Sequence, residues 1–451
     1  MSEPVGENPR RIFLECSETA TNDLRSGIQR VVRNLILHHR PAAREIGVLT
    51  SPAQLVGQNF CALEWQPASK ANDRIVSDAI QQRLSALVGE RRAGKWMTQA
   101  NIFVTRIRKV AALPKLRRQM RSRWLQWTSK PLQPNPGDMM VLADASWVMP
   151  IWPAVERWRA QGGKVAFVLY DILPITHPQF MAARHARRFT DWFDQLATHA
   201  DLLLAISDTV RDQLREMASR GDRLPADGSV RIESFHLGAD LDTPCGEAEP
   251  RAHIRKALSP ETGSPPYLMV GTIEHRKNPL TALDAFERLW AQGRQVRLML
   301  VGRRGWNCDD IEQRLLSHPR FGRELLWFTD LTDRELVHCY QHARALVFAS
   351  RGEGFGLPLV EGLQHGLPVI ASNLPVHREV SGNCAVFFDP DRADELASWI
   401  EWMETKGSLP TSAAAKSFRA PTWHDGVSEM LRHCRDFVPC VSAGRIEPCA
   451  A

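Results

Sequence analysis

The sequence has no run of 18 or more apolar residues, so no membrane-spanning helix is expected. Its opening, MSEPVGENPRR, holds no apolar stretch of the kind a secretory signal needs, so export is not expected either. The nine cysteines are odd in number and irregularly spaced, which argues against a disulfide framework. No C-x-x-C or His/Cys pairing points to zinc, and no internal repeat recurs at a fixed spacing. A chain of this kind is expected in a reducing, cytoplasmic compartment.

What is present is ordinary globular composition: 43% apolar and 24% charged residues in 451. At about 100–200 residues per domain, that length predicts two or three domains. The net charge of +6 is unevenly placed. Residues 91–130 hold 12 Lys/Arg and no Asp or Glu, so the remainder is slightly acidic.

The chain reads as two alternating β/α halves. In the first, strands are expected at Arg11–Glu15, 46–49, Met139–Leu142, Lys164–Leu169, 202–206 and 230–234. A turn-rich stretch, 17–26, precedes a helix from Gly27 whose Ile28, Val31, Val32, Leu35 and Ile36 share one face. In the second half the strands are 267–271, 296–301, Leu325–Phe328, 345–349, 368–371 and Ala385–Phe388. Asn278-Pro279 predicts an N-cap with proline at the first helical position. Leu280, Leu283, Phe286 and Leu289 form the following stripe, and Thr332-Asp-Arg-Glu335 fits a capping box. Strands alternating with helices imply parallel sheets covered on both faces. The Pro/Gly/Glu-rich stretches 243–250 and 259–266 read as a linker.

The most informative segment is Ser350-Arg-Gly-Glu-Gly-Phe-Gly-Leu-Pro-Leu-Val-Glu-Gly362. Gly354 and Gly356 allow a tight turn and close backbone approach to a ligand. Pro358 suits a first helical turn, so amides around Phe355, Gly356 and Leu357 are expected at a helix start, aimed at an anion. Glu353 and Glu361 stand eight residues apart and could meet two parts of one hydroxyl-bearing ligand. The same spacing also fits a tight turn carrying two solvated glutamates. A second constellation, Val270-Gly-Thr-Ile-Glu-His-Arg-Lys-Asn278, places Gly271, Arg276 and Lys277 on a loop at the same sheet edge, where ligands of such sheets bind. Two cations there could neutralise a pyrophosphate without a metal; exposed surface cations are the plain alternative.

In this order, over about 125 residues, these elements together with residues 336–349 and Gly366-Leu-Pro-Val-Ile-Ala-Ser-Asn373 resemble the retaining glycosyltransferases of family 4. The resemblance implies an α/β GT-B fold: two Rossmann-like domains whose parallel sheets face each other across a cleft. It implies an acceptor-binding domain over 1–245, with the basic insertion at about 91–130. A nucleotide-sugar-binding domain would span 246–421. Residues 422–451 would then form a helix crossing back to the first domain, with a tail. It also implies that Glu353 holds donor-sugar hydroxyls and Glu361 the ribose. Amides of Gly354, Phe355, Gly356 and Leu357 would face phosphate or sugar, and Arg276 and Lys277 the diphosphate. Phe328 and Thr329 would lie beside the base. The donor is a co-substrate, and neither cofactor nor metal is implied.

The first half resembles the family more loosely. Ser26-Gly-Ile-Gln-Arg-Val-Val32 looks like its glycine loop, with Gly27 the residue of close approach. Leu169-Tyr-Asp-Ile-Leu-Pro-Ile-Thr-His-Pro178 looks like the loop where many relatives carry His-Asp. Here Tyr170 replaces the histidine, Asp171 keeps its place, and His177 follows six residues on. Asp171 or His177 could contact the sugar or orient the acceptor hydroxyl; a surface histidine is the other reading. Replacing Lys277 or Glu353 by alanine is expected to abolish transfer and leave the fold intact.

Residues 106–127 place Leu113, Leu116, Met120, Trp124 and Trp127 at helical spacing, with Lys115, Arg117, Arg118, Arg121 and Arg123 mostly elsewhere on the wheel. Such a helix suits an anionic membrane surface on the cytoplasmic face of an inner membrane. It equally suits packing on the first domain. No motif for nucleic acid accompanies it. The functional expectation is transfer of a hexose, with mannose from GDP-mannose favoured, to a saccharide or lipid-linked saccharide. The alternatives are a UDP- or dTDP-sugar donor (glucose, galactose or rhamnose), and a non-catalytic nucleotide-sugar-binding or membrane-scaffolding protein.

Overall fold

Two parallel-rich sheets organise the computed structural model, which describes residues 10–21, 27–65, 129–240 and 249–437. The basic helix expected over 106–127, most of the 91–130 insertion and most of the 243–250 linker lie outside the described residues. None of the described helices is long and apolar enough to cross a membrane.

The first sheet comprises β1 (Arg11–Glu15), β2 (Leu49–Val56), β3 (Asn59–Ala62), β4 (Met139–Leu142), β5 (Lys164–Leu169), β6 (Leu202–Ala205) and β7 (Arg231–Ser234). Its order is β3-β2-β1-β4-β5-β6-β7. The β2–β3 pair is antiparallel, while β1–β2, β1–β4, β5–β6 and β6–β7 are parallel. The second comprises β8 (Tyr267–Val270), β9 (Leu298–Val301), β10 (Leu325–Phe328), β11 (Leu346–Phe348), β12 (Val369–Ser372) and β13 (Ala385–Phe388), in the order β10-β9-β8-β11-β12-β13. Strand order therefore reverses between β8 and β11. The loops leaving those two strands flank the point where doubly wound sheets bind ligands.

Continuous apolar strands explain the sheets. β4, β6, β9 and β12 are buried at every position, as strands covered on both faces must be. Leu283, Phe286 and Leu289 of the helix Pro279–Ala291 enter the second core, and Leu280 packs against it. Contacts divide the chain into two compact units, one of residues 1–36 with 49–165, the other of 37–48 with 166–451.

Three local expectations are corrected. The strand expected at 46–49 is the end of a helix, Gly27–Ile46, then Gly47 in a left-handed turn (φ 75°), with β2 starting at Leu49. The helix continues past Pro41, so of the run read as a strand Ile46 closes the helix, Gly47 and Val48 form the turn and Leu49 opens β2. The turn-rich stretch begins with a short helix, Ser17–Thr21. Asn278 does stand at the N-cap, but in the left-handed region (φ 59°) and without capping an amide. Its side chain instead accepts from the Thr281 hydroxyl (2.8 Å) and donates to the Pro390 carbonyl (2.7 Å).

The helix Trp423–Arg435 opens with a capping box, Thr422 and Asp425. It packs on residues 236–240: Asp240 accepts from the Trp423 amide at 2.8 Å, and a Cβ at Gly238 would sit 2.2 Å from that nitrogen. Its His424 and Arg432 also meet Glu45.

Candidate functional site

The loop after β8 carries Arg276 and Lys277; the loop after β11 carries Glu353. They converge. Arg276 lies 3.0 Å from one Glu353 oxygen, and the Lys277 ammonium pairs with the other. Arg276 also pairs with Glu274 at 2.8 Å and donates to the Gly352 carbonyl at 2.8 Å. Ser350 donates to Glu353 at 2.7 Å. The Lys277 ammonium lies over the Phe348 ring, 5.3 Å from its centroid.

These groups are buried: side-chain exposure is 8% at Glu353, 12% at Lys277 and 19% at Arg276. Burial alone would raise the Glu353 pKa, but Arg276, Lys277 and the bonds from Lys277 and Ser350 outweigh it and hold the carboxyl well below its usual range. Burial lowers the Lys277 pKa, opposed by Glu353. Burial likewise presses on Arg276, yet the charges of Glu353, Glu274 and Asp171 raise its pKa. Burial raises the Asp171 pKa, opposed mainly by Arg276. Two cations thus face three carboxylates, so the pair is not an uncommitted positive patch. An anion placed beside Arg276 and Lys277 would compete with Glu353 and Glu274 for them, leaving the nearby backbone dipoles as the uncommitted positive ends.

Those dipoles come from the helix Leu357–Gln364, which starts after Gly356 in the left-handed region (φ 98°) with Pro358 in its first turn. A Cβ at Gly356 would approach Phe348 to 3.2 Å. Phe355 is buried, its ring 6.3 Å from His236. Glu361 is 1% exposed and accepts from the Tyr340 hydroxyl at 2.8 Å. Neither glutamate of the pair is solvated, which removes the plain-turn reading.

The remaining expected residues fall as follows. Asp171 accepts from the Leu173 amide at 3.1 Å and lies close enough to Arg276, Lys277 and Glu353 to feel their charges. His177 turns instead to Thr176 (2.9 Å) and stacks on Phe180, so the contacts described for it do not include the ion cluster. Gly271 directly follows β8, its amide donating to the Val301 carbonyl at 2.9 Å. Phe328 ends β10, its ring 6.0 Å from His253, and Thr329 follows it, exposed. Arg251 fastens the next residues, pairing with Asp330 and Glu335. Gly27 opens its helix with open space around it.

Sequence reading missed the support of this loop. Ser372 donates to the Ser350 carbonyl, and His377 donates from Nδ1 to the Ser372 carbonyl at 2.8 Å. His377 is fully buried, and burial pushes its pKa down to about 4, so it is neutral. Nothing in its local sequence distinguishes it from a surface histidine.

The strand order, the reversal between β8 and β11 and the loops at that edge define the class: a GT-B fold of two Rossmann-like domains. HepE from Anabaena, solved with UDP and glucose, matches over 94% of this chain and 100% of its own, with a TM-score of 0.54 at 13% identity. Residues 250–418 match the family described as glycosyl transferases group 1. The serotype-specific mannosyltransferase WbdA of Escherichia coli is 36% identical over 251 residues, 55% of this chain and 31% of WbdA. O-antigen chain mannosyltransferase B of the same organism is 30% identical over 233 residues, 51% of this chain and 58% of that protein. The chain therefore spans about a third of WbdA and little over half of the second relative.

Proposed function

We propose that this protein is a retaining, metal-independent hexosyltransferase of polysaccharide assembly. In this reading it moves mannose from GDP-mannose to a saccharide or lipid-linked saccharide. The observation that carries the reading is the convergence of Glu353, Arg276 and Lys277 with a helix start at the switch point of the second sheet. Mannosyltransferase names among the relatives favour the sugar.

The donor diphosphate lies against the amides of Phe355, Gly356 and Leu357, with Arg276 and Lys277 beside it. As the bond from anomeric carbon to phosphate stretches, negative charge grows on the diphosphate, where fixed dipoles and buried cations stabilise it. Glu353 accepts hydrogen bonds from sugar hydroxyls. The acceptor hydroxyl attacks from the face the leaving group vacates and gives its proton to the departing phosphate. Asp171, whose pKa burial raises, contacts the sugar.

A second reading is a non-catalytic nucleotide-sugar-binding protein. It is favoured by Tyr170, which stands where a histidine is expected and whose side chain is buried. A donor panel of GDP-mannose with UDP- and dTDP-hexoses, scored by release of nucleoside diphosphate with and without acceptor, separates the readings. Release from GDP-mannose only with a saccharide acceptor is the expected result. Release from a UDP- or dTDP-sugar instead would replace the donor. Binding without release would favour the second reading.

A further inference from the structure

Glu379, on the short helix Pro375–Ser381, accepts four hydrogen bonds. One oxygen takes the Asp208 amide (2.7 Å) and His236 Nε2 (3.0 Å); the other takes the Thr209 amide (2.7 Å) and its hydroxyl. A carboxylate so placed satisfies orphan amides at the start of the helix Asp208–Ser219 and complements its dipole. Asp208, His236 and Glu379 lie close enough to suggest a cation cluster. Hydrogen bonds account for it better: Asp208 already accepts from Ser234 (2.6 Å) and from Arg211 (2.6 Å), whose guanidinium supplies the positive charge.

The same helix start touches the donor loop through Ser207. This fully buried residue is the N-cap, accepting from the Val210 amide at 3.2 Å. Its hydroxyl proton goes to the Gly354 carbonyl at 2.7 Å. The Gly354 carbonyl and the Phe355 amide belong to one planar, trans peptide unit and point in opposite directions. Glycine rotates its peptide planes at little steric cost, so an outside bond is needed to hold this one.

We propose that Ser207 is a positioning residue of the donor site: its hydroxyl holds the Gly354 carbonyl and so aims the Phe355 N–H at the donor diphosphate. Glu379 acts one step further out, fixing the helix start that carries Ser207. A glutamine at 379 cannot replace it, because its amide nitrogen would meet a donor on one side. The proposal rests on the reading of this loop as the diphosphate cradle.

The test is calorimetric binding of GDP, UDP and dTDP to the full chain and to Ser207→Ala, Ser207→Thr and Glu379→Gln. Each variant is measured well below its own Tm. The expected result is a loss of about tenfold in nucleoside diphosphate affinity for Ser207→Ala and Glu379→Gln, the scale of one aimed hydrogen bond. Ser207→Thr, which keeps the hydroxyl, should restore binding to near the parent value. Equal affinity in the parent and Ser207→Ala would overturn the positioning role while leaving the donor reading in place. Folded Ser207→Thr as weak as Ser207→Ala would overturn it too, since the loss would then follow packing. A parent chain that binds none of the three would remove the donor reading and this proposal together.

Discussion

A Cβ at Gly354 would lie 1.7 Å from the carbonyl oxygen of Tyr170. The loop after β5 and the loop after β11 are therefore in backbone contact, and Gly354 is glycine for lack of space rather than for an unusual φ. Gly354→Ala is expected to displace the loop and reduce donor turnover at least a hundredfold, roughly the cost of misplacing a reacting group by an ångström. Gly27→Ala is the control for the fold. With open space around it, the change is expected to leave Tm within a few degrees, so any loss of donor affinity would report on close approach of ligand.

Glu353 neutralises two buried cations. The sequence-based expectation that its removal leaves the fold intact is revised accordingly. Breaking a buried pair by deleting one partner costs about 3–5 kcal/mol. Glu353→Ala should lower urea-unfolding stability on that scale as well as abolish transfer. Combining it with Lys277→Met should recover part of the stability and none of the activity. Unchanged stability in the single variant would show that water reaches the cluster.

Two histidines give opposite pH signs. His377 is held near pKa 4 by burial, against 6.5 in the unfolded chain. Between those values the unfolded state binds the extra proton, so stability falls as pH drops, by about 1.4 kcal/mol per unit, and levels off below 4. The pKa of His236 is raised, first by its bond to Glu379. Its contribution is complete below 6.5 and is lost as pH rises through the raised value. Chemical denaturation from pH 4 to 9 should show the acid limb shrink in His377→Phe and the alkaline limb shrink in His236→Gln.

Arg251 fastens the loop after β10 through Asp330 and Glu335, and Glu335 in turn belongs to the capping box at Thr332. Its bonds hold the Glu335 pKa down to about 2, with the Arg251 bond the largest cause. Arg251→Ala is expected to loosen this loop and raise donor KM severalfold with little change in kcat, since a base held by this loop would be contacted equally in ground and transition states. A fall in kcat with constant KM would place the base elsewhere.

The sequence alone determined the elements and the edge. Apolar runs at Leu325–Phe328 and Ala385–Phe388 became the two edge strands of the second sheet residue for residue, because each is a short continuous apolar run set between helical segments. Thr332 and Glu335 formed their box, because capping is local chemistry within four residues. The order of Arg276, Lys277, Glu353 and Glu361 placed them on loops and a helix at one sheet edge. Only the tertiary structure decided which of them meet. It joined Glu353 to both cations and buried Glu361 against Tyr340. It turned His177 toward Phe180 and set Ser207, Glu379 and His377 behind the loop. These contacts link residues distant along the chain, and an isolated serine or histidine has no periodicity to betray it. Their roles come from burial and partners, which are properties of the folded packing.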